Sequence, residues 1–224
     1  MFDFLAKNYF IPLYVAALII SLIRYRYYFE SVLKYFPMFI AYTLVTELIG
    51  ILIRDFEGFQ IVYEESYHYA NYLVFNIYDV VFFIYFYSLF WRVVKNLKSR
   101  RIIMYGALIY VIAAIVNPFF QNVLVFPQIY ASTVGSIILI VAIFLYYNEI
   151  KKQKEKKRNL MVWISFGLLV FNLLFPFISL TARFDYDLYQ RLFLRQIHYI
   201  LIVIMYSCFV LGFLLMRQMR PKEA

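Results

Sequence analysis

Two carboxylic acids and an amide are set in stretches of the chain that are otherwise hydrocarbon and aromatic: Glu47 in "TLVTELIG", and Asn76 and Asp79 in "LVFNIYDVVFFIYF". Ionisable groups in apolar spans are costly, usually face a bundle interior and pair with one another, so they are the first places to look for chemistry. Thr43, Thr46, Glu47 and Gly50 recur at helical spacing and share one face, and so do Tyr72, Asn76, Asp79 and Phe83. Glu47 and Asn76 each sit about seven residues, roughly 10 Å at the helical rise, from the same end of their stretches, and Asp79 lies deeper. The short connection between the two stretches favours packing as neighbours, which predicts that the three side chains meet. Two acids held close together in a low dielectric retain at least one proton or pair with a cation. Such a group can donate hydrogen bonds to a ligand or carry a proton.

Further polar residues fall in the same half of their stretches. Asn117 and Pro118 end one; Pro127, Gln128, Ser132, Thr133 and Ser136 open the next, with Gly135 permitting close helix approach. Asn172 precedes Pro176 by four residues, and this proline removes the hydrogen bond that the Asn172 carbonyl would accept, which predicts a kink. Arg195, Gln196 and His198 open the last stretch. The candidate ligand-binding set is therefore Glu47, Asn76 and Asp79 at the centre, Thr43 and Thr46 beside them, Thr133, Asn172 and Gln196 as second contributors, and Arg195 and His198 at the mouth. Ser, Thr and Asn taken singly often do no more than bridge helices.

Other chemistries find less. In "EESYH", Glu65 and His68 stand three apart, with Glu64 four before the histidine, but di-iron bundles need paired Glu-x-x-His motifs and the chain has two histidines in all. Glu65 and His68 are thus weak metal candidates, and no metal or other cofactor is expected. Residues 196–216 contain no lysine for a retinal Schiff base, so a light-sensing pigment is excluded. No G-x-S-x-G elbow occurs, and only one stretch reads as broken, where a secondary transporter would show repeats or paired broken helices.

The elements that must position these residues are seven apolar runs, near 9–23, 35–53, 69–91, 102–118, 128–148, 159–182 and 196–216. A hydrocarbon core about 30 Å thick needs roughly twenty helical residues, and 65% of the 224 residues are hydrophobic, more than a soluble domain can cover. The expected fold is all-α: a polytopic integral membrane protein, a single transmembrane domain over residues 1–224 built as a bundle of seven transmembrane helices. Seventeen of the 22 Lys and Arg fall in loops sharing one side and five on the other, which puts the N-terminus outside and the C-terminus in the cytoplasm. The first run lacks a small-residue cleavage site and reads as a retained helix. The net charge of +9 thus follows topology and does not point to nucleic acid. Tyr9, Tyr35, Tyr69, Tyr105, Tyr146 and Tyr147 read as headgroup-level anchors. Cys208 lies in the last run and reads as a packing residue.

The "TELIG" face and the "NIYDVVFFIYF" style resemble a loose group of small bacterial seven-helix inner-membrane proteins. That resemblance implies a bacterial source and an inner-membrane location, and it carries no activity to transfer. The longest cytoplasmic segment, 148–159, and the tail after Arg217 are too short for an output domain, so any signal leaves through a membrane or cytoplasmic partner. The expected function is a non-enzymatic, receptor- or sensor-like module with an outward-facing polar pocket for a small-molecule or lipid ligand. A structural or accessory subunit of a larger membrane complex is the alternative, and a membrane-embedded lipid-acting enzyme or transporter the third.

Overall fold

The computed structural model describes residues 9–59, 72–124, 126–151 and 158–216. Every regular element among them is helical. Helix α1 is Ile11–Ile23, α2 Phe36–Asp55, α3 Tyr72–Val93, α4 Leu97–Val116, α5 Ile129–Ile150, α6 Leu160–Phe184, α7 Tyr186–Arg191 and α8 Leu194–Leu215. Their starts are written locally. Prolines in the first turns of α1 and α2 remove backbone donors that would have no partner there. The side chains of Asn96, Asn159 and Asp185 accept from the first amides of α4, α6 and α7.

Six of these helices, α2 and α4 counted with the short 3₁₀ turns that extend them, are long and apolar enough to cross a membrane. The chain is therefore a helical multi-pass membrane protein. Helix α1, at 13 residues, is about 20 Å long.

The bundle has two ends of different character. At one, Arg24 follows α1 and donates from Nε to the Phe213 carbonyl (3.1 Å) and from Nη2 to the Met216 carbonyl (3.2 Å), closing the C-terminus of α8. At the same end of the chain's path, the Glu149 carboxylate accepts from the Lys95 and Asn96 amides, at 2.8 and 3.0 Å, and fastens α5 to the α3–α4 turn. At the other end, Phe10 stacks on Tyr199 with ring centroids 5.4 Å apart. Helix α1 thus runs alongside α8 and in the same direction.

Between the ends lies a core of interlocked rings. Phe36, Phe39, Tyr85, Phe86, Phe209 and Phe213 form one contiguous group; Phe39 and Tyr85 stack at 4.6 Å, and Phe36 meets Phe209 edge-on at 5.2 Å. Edge-to-face and offset stacks of this kind contribute about 0.5–1.5 kcal/mol each beyond burial. The aromatic-anchor expectation is corrected at one position. Tyr9, Tyr35 and Tyr105 are exposed, but Tyr146 is buried against Phe90 and accepts a hydrogen bond from Asn159 Nδ2. Its place is a helix seam because Asn159 caps the next helix directly above it. Tyr147 is half-buried and donates to the Val162 carbonyl, and Tyr69 lies outside the described residues. Cys208 is buried, as a packing residue would be.

Phe193, between α7 and α8, adopts the left-handed conformation at φ 50° and ψ 39°. A side chain with a Cβ loses roughly 1–2 kcal/mol there, and the Phe193 ring is 65% exposed, so little burial offsets it. Phe193→Gly is expected to raise the thermal-unfolding midpoint in detergent, by the equivalent of about 1 kcal/mol.

Candidate functional site

Helix α3 carries two stripes, and they face different partners. Asn76, Asp79, Phe83 and Tyr87 look toward α5: Asn76 meets Gln128, Asp79 meets Ser132, a Cβ on Gly135 would lie 2.9 Å from the Phe83 ring, and Tyr87 donates to the Gly135 carbonyl at 2.7 Å. Tyr78, Phe82 and Tyr85 look toward α2, where all three rings lie within 6.4 Å of Phe39. The polar face of α3 was correctly grouped by its spacing, but the expected meeting with Glu47 does not form. Helices α2 and α3 are neighbours through aromatic rings, and the register that buries those rings turns Asn76 and Asp79 away.

Each central residue therefore has its own surroundings. Asn76 is buried, and every polar atom of its side chain is used. Its Nδ2 donates to the Val123 and Phe126 carbonyls (2.7 and 3.1 Å), and its Oδ1 accepts from the Gln128 amide (2.8 Å). Gln128 Nε2 returns a bond to the Asn76 carbonyl at 2.9 Å, and Gln121 Nε2 bonds the Pro127 carbonyl beside it. Asn76 is a clamp on the α4–α5 loop. Asp79 is partly exposed and accepts from Ser132 Oγ at 2.5 Å.

Glu47 is the member with unused capacity. It is partly exposed, and among the described residues its carboxylate accepts one long hydrogen bond, from Tyr14 of α1 at 3.4 Å. A carboxylate offers about four acceptor positions. Around it stand Tyr206 of α8, whose ring is 4.3 Å from that of Tyr14, and Tyr78 of α3, whose hydroxyl is 3.2 Å from Thr43 Oγ1. Thr43 donates to the Phe39 carbonyl at 3.1 Å, so Tyr78 is the donor in its pair with Thr43. The Glu47 charge acts on Tyr206 and Tyr78, and Arg54 acts on Glu47 from the end of α2. Four helices thus bring three phenols and a threonine to one acid. Thr46 is buried on the same helix.

The remaining candidates are dispersed. Thr133 Oγ1 and Asn172 Oδ1 are buried without a partner among the described residues, while Asn172 Nδ2 bonds the Leu168 carbonyl one turn back. Helix α6 continues through Pro176 to Phe184. Gln196 and Arg195 are exposed, and the Arg195 guanidinium lies 5.9 Å from the Tyr199 ring. The His198 ring lies 5.6 and 5.5 Å from those of Phe171 and Phe175 and 6.3 Å from that of the same Tyr199. Glu65 and His68 lie outside the described residues, and no group of three potential metal ligands occurs among those described.

Tyr14, Tyr78 and Tyr206 were missed as site residues because each reads as one more ring in an aromatic span. The signal available was the 78/82/85 spacing, which groups Tyr78 with Phe82 and Tyr85 on a stripe separate from that of Asn76 and Asp79. Comparison of the chain with protein-family models, with curated proteins and with solved structures finds no match.

Proposed function

We propose that this protein is a ligand-binding, receptor- or sensor-like module of a bacterial inner membrane, with Glu47 as the residue that engages the ligand. The observation behind this is the partly exposed Glu47 carboxylate, held at a four-helix junction with a single 3.4 Å hydrogen bond from Tyr14. An acid in an apolar span is retained at a cost, and one left with free acceptor positions is suited to a ligand that donates hydrogen bonds or carries positive charge. The surrounding phenols of Tyr14, Tyr78 and Tyr206 offer ring faces and hydroxyls to the same ligand.

In this reading the chain crosses the membrane seven times. The pairing of Phe10 with Tyr199 and of Arg24 with the end of α8 favours α1 as the seventh crossing, since the short helix keeps pace with α8 between those points. The end that carries Arg24, Arg92, Lys95, Arg100 and Lys151 is the cytoplasmic one by the positive-inside rule, and Glu47 opens toward the outside. Its state passes to a separate membrane or cytoplasmic partner.

Native mass spectrometry of the protein purified in mild detergent tests this. Wild type is expected to retain a small-molecule or lipid adduct, and Glu47→Gln, which keeps shape and removes charge, to lose it at unchanged yield. Equal adduct occupancy in the two proteins, or none in wild type, would remove the basis for assigning Glu47 this role.

A further inference from the structure

Asp79 makes no hydrogen bond to Glu47, although the charges of both acids act on Tyr78, and its own surroundings are incomplete. Beyond the bond from Ser132, the Asp79 charge acts on Tyr110 of α4, and Ser136 follows Ser132 by one turn on the same face of α5. The Tyr110 hydroxyl and Ser136 Oγ belong to residues with no exposed surface, and neither has a hydrogen-bond partner among the described residues. Each such group is unfavourable unless water or an ion fills the gap. No cationic side chain is paired with Asp79 either; among the described residues the ion pair that forms is Arg54 with Asp55. An uncompensated carboxylate inside an apolar bundle is more costly still.

A positive charge surrounded by oxygen atoms removes both deficits. We propose that Asp79, Ser132, Tyr110 and Ser136 form a binding site for a sodium ion between α3, α4 and α5. Hard cations take oxygen ligands, and these four side chains supply nothing else. One carboxylate balances one charge, which favours a monovalent over a divalent ion. A proton on Asp79 would neutralise the acid but leave the Tyr110 and Ser136 oxygens unfilled, whereas a cation engages them. The two acids share Tyr78 as a neighbour, but the sodium response is read without any adduct at Glu47, so the two proposals fail separately.

The test is thermal unfolding of the purified protein in detergent as NaCl replaces choline chloride at constant ionic strength. The midpoint is expected to rise with sodium and to saturate, as for any ligand bound by the folded state alone. Asp79→Asn should abolish that response. Tyr110→Phe and Ser136→Ala, which keep the charge and each remove one oxygen, should raise the half-saturating sodium concentration by roughly tenfold. A wild-type midpoint identical in the two salts overturns the proposal, as does a full sodium response in Asp79→Asn. If Asp79→Asn does not fold, unchanged half-saturation in both hydroxyl variants overturns it. So does an infrared carbonyl stretch of a protonated acid, assigned to Asp79, in saturating NaCl.

Discussion

Asn76→Ala is expected to be among the most destabilising single substitutions in the chain, lowering stability by about 2–4 kcal/mol. The residue makes three side-chain hydrogen bonds, to Val123, Phe126 and Gln128, and none of those partners has an obvious substitute. Truncation leaves two carbonyls and an amide of the α4–α5 loop without their partner, in a region where Gln128 is itself buried. Groups left in this way cost more than the mean value of a hydrogen bond, because their desolvation is no longer compensated. Asn76→Asp separates the contributions. It keeps an acceptor for the Gln128 amide but replaces the donor to Val123 and Phe126 with an oxygen that repels both carbonyls. Thermal unfolding in detergent should therefore show both variants well below wild type, and limited proteolysis should cut first within 119–128. If Asn76→Ala melts with wild type, the loop is held by other contacts and the clamp is misassigned. The same pair speaks to ligand binding: a residue that only clamps a loop gives the same loss whether or not an adduct is bound.

What the sequence made legible was the spacing of side chains along each helix, and what it concealed was the choice of neighbour. Six of the seven apolar runs correspond to helices long enough to span, with limits within a few residues of those expected. The grouping of Asn76 with Asp79 on one face was also correct. Which helix that face meets depends on packing that no local pattern encodes. Phe39 sits among Tyr78, Phe82 and Tyr85, and this fit fixes the rotation of α3 relative to α2. In a chain with 25 Phe and 23 Tyr, many such fits compete, so the polar residues follow the rings. Arg24 illustrates a different blindness. As one basic residue after an apolar run it reads only as a topology signal, yet it caps a helix end 189 residues away in sequence. Tyr146 reads as an interfacial anchor for the same reason: position in a run does not reveal which side of a helix a ring occupies.

Gly167→Val should weaken the α6–α8 seam by more than any other glycine substitution described. A Cβ placed at Gly167 would lie 2.9 Å from the Met205 carbonyl oxygen and 3.2 Å from the Met205 Cα, and both atoms are backbone. Backbone of a packed helix cannot turn aside, so the helices must separate. Helices in membranes associate largely through close packing, and small residues at the crossing are what allow it. Gly167→Ala is expected to cost about 1–3 kcal/mol, and the β-branched valine more. Gly106→Ala is the control. There the nearest obstacle is the Ile138 Cγ2 methyl at 2.6 Å, on a β-branched side chain with little rotamer freedom in a helix, so relief takes a shift of that one side chain and not of a helix backbone, and alanine regains up to about 1 kcal/mol of helix propensity. The midpoint of Gly106→Ala should accordingly fall less than that of Gly167→Ala. Equal losses would mean that α8 yields as readily as one isoleucine. Because Tyr206 follows Met205 on α8 and packs on Tyr14 beside Glu47, separation of this seam should also disturb the acid's surroundings. Gly167→Ala is thus expected to lower adduct retention in native mass spectrometry without touching Glu47, whereas Gly106→Ala leaves it unchanged.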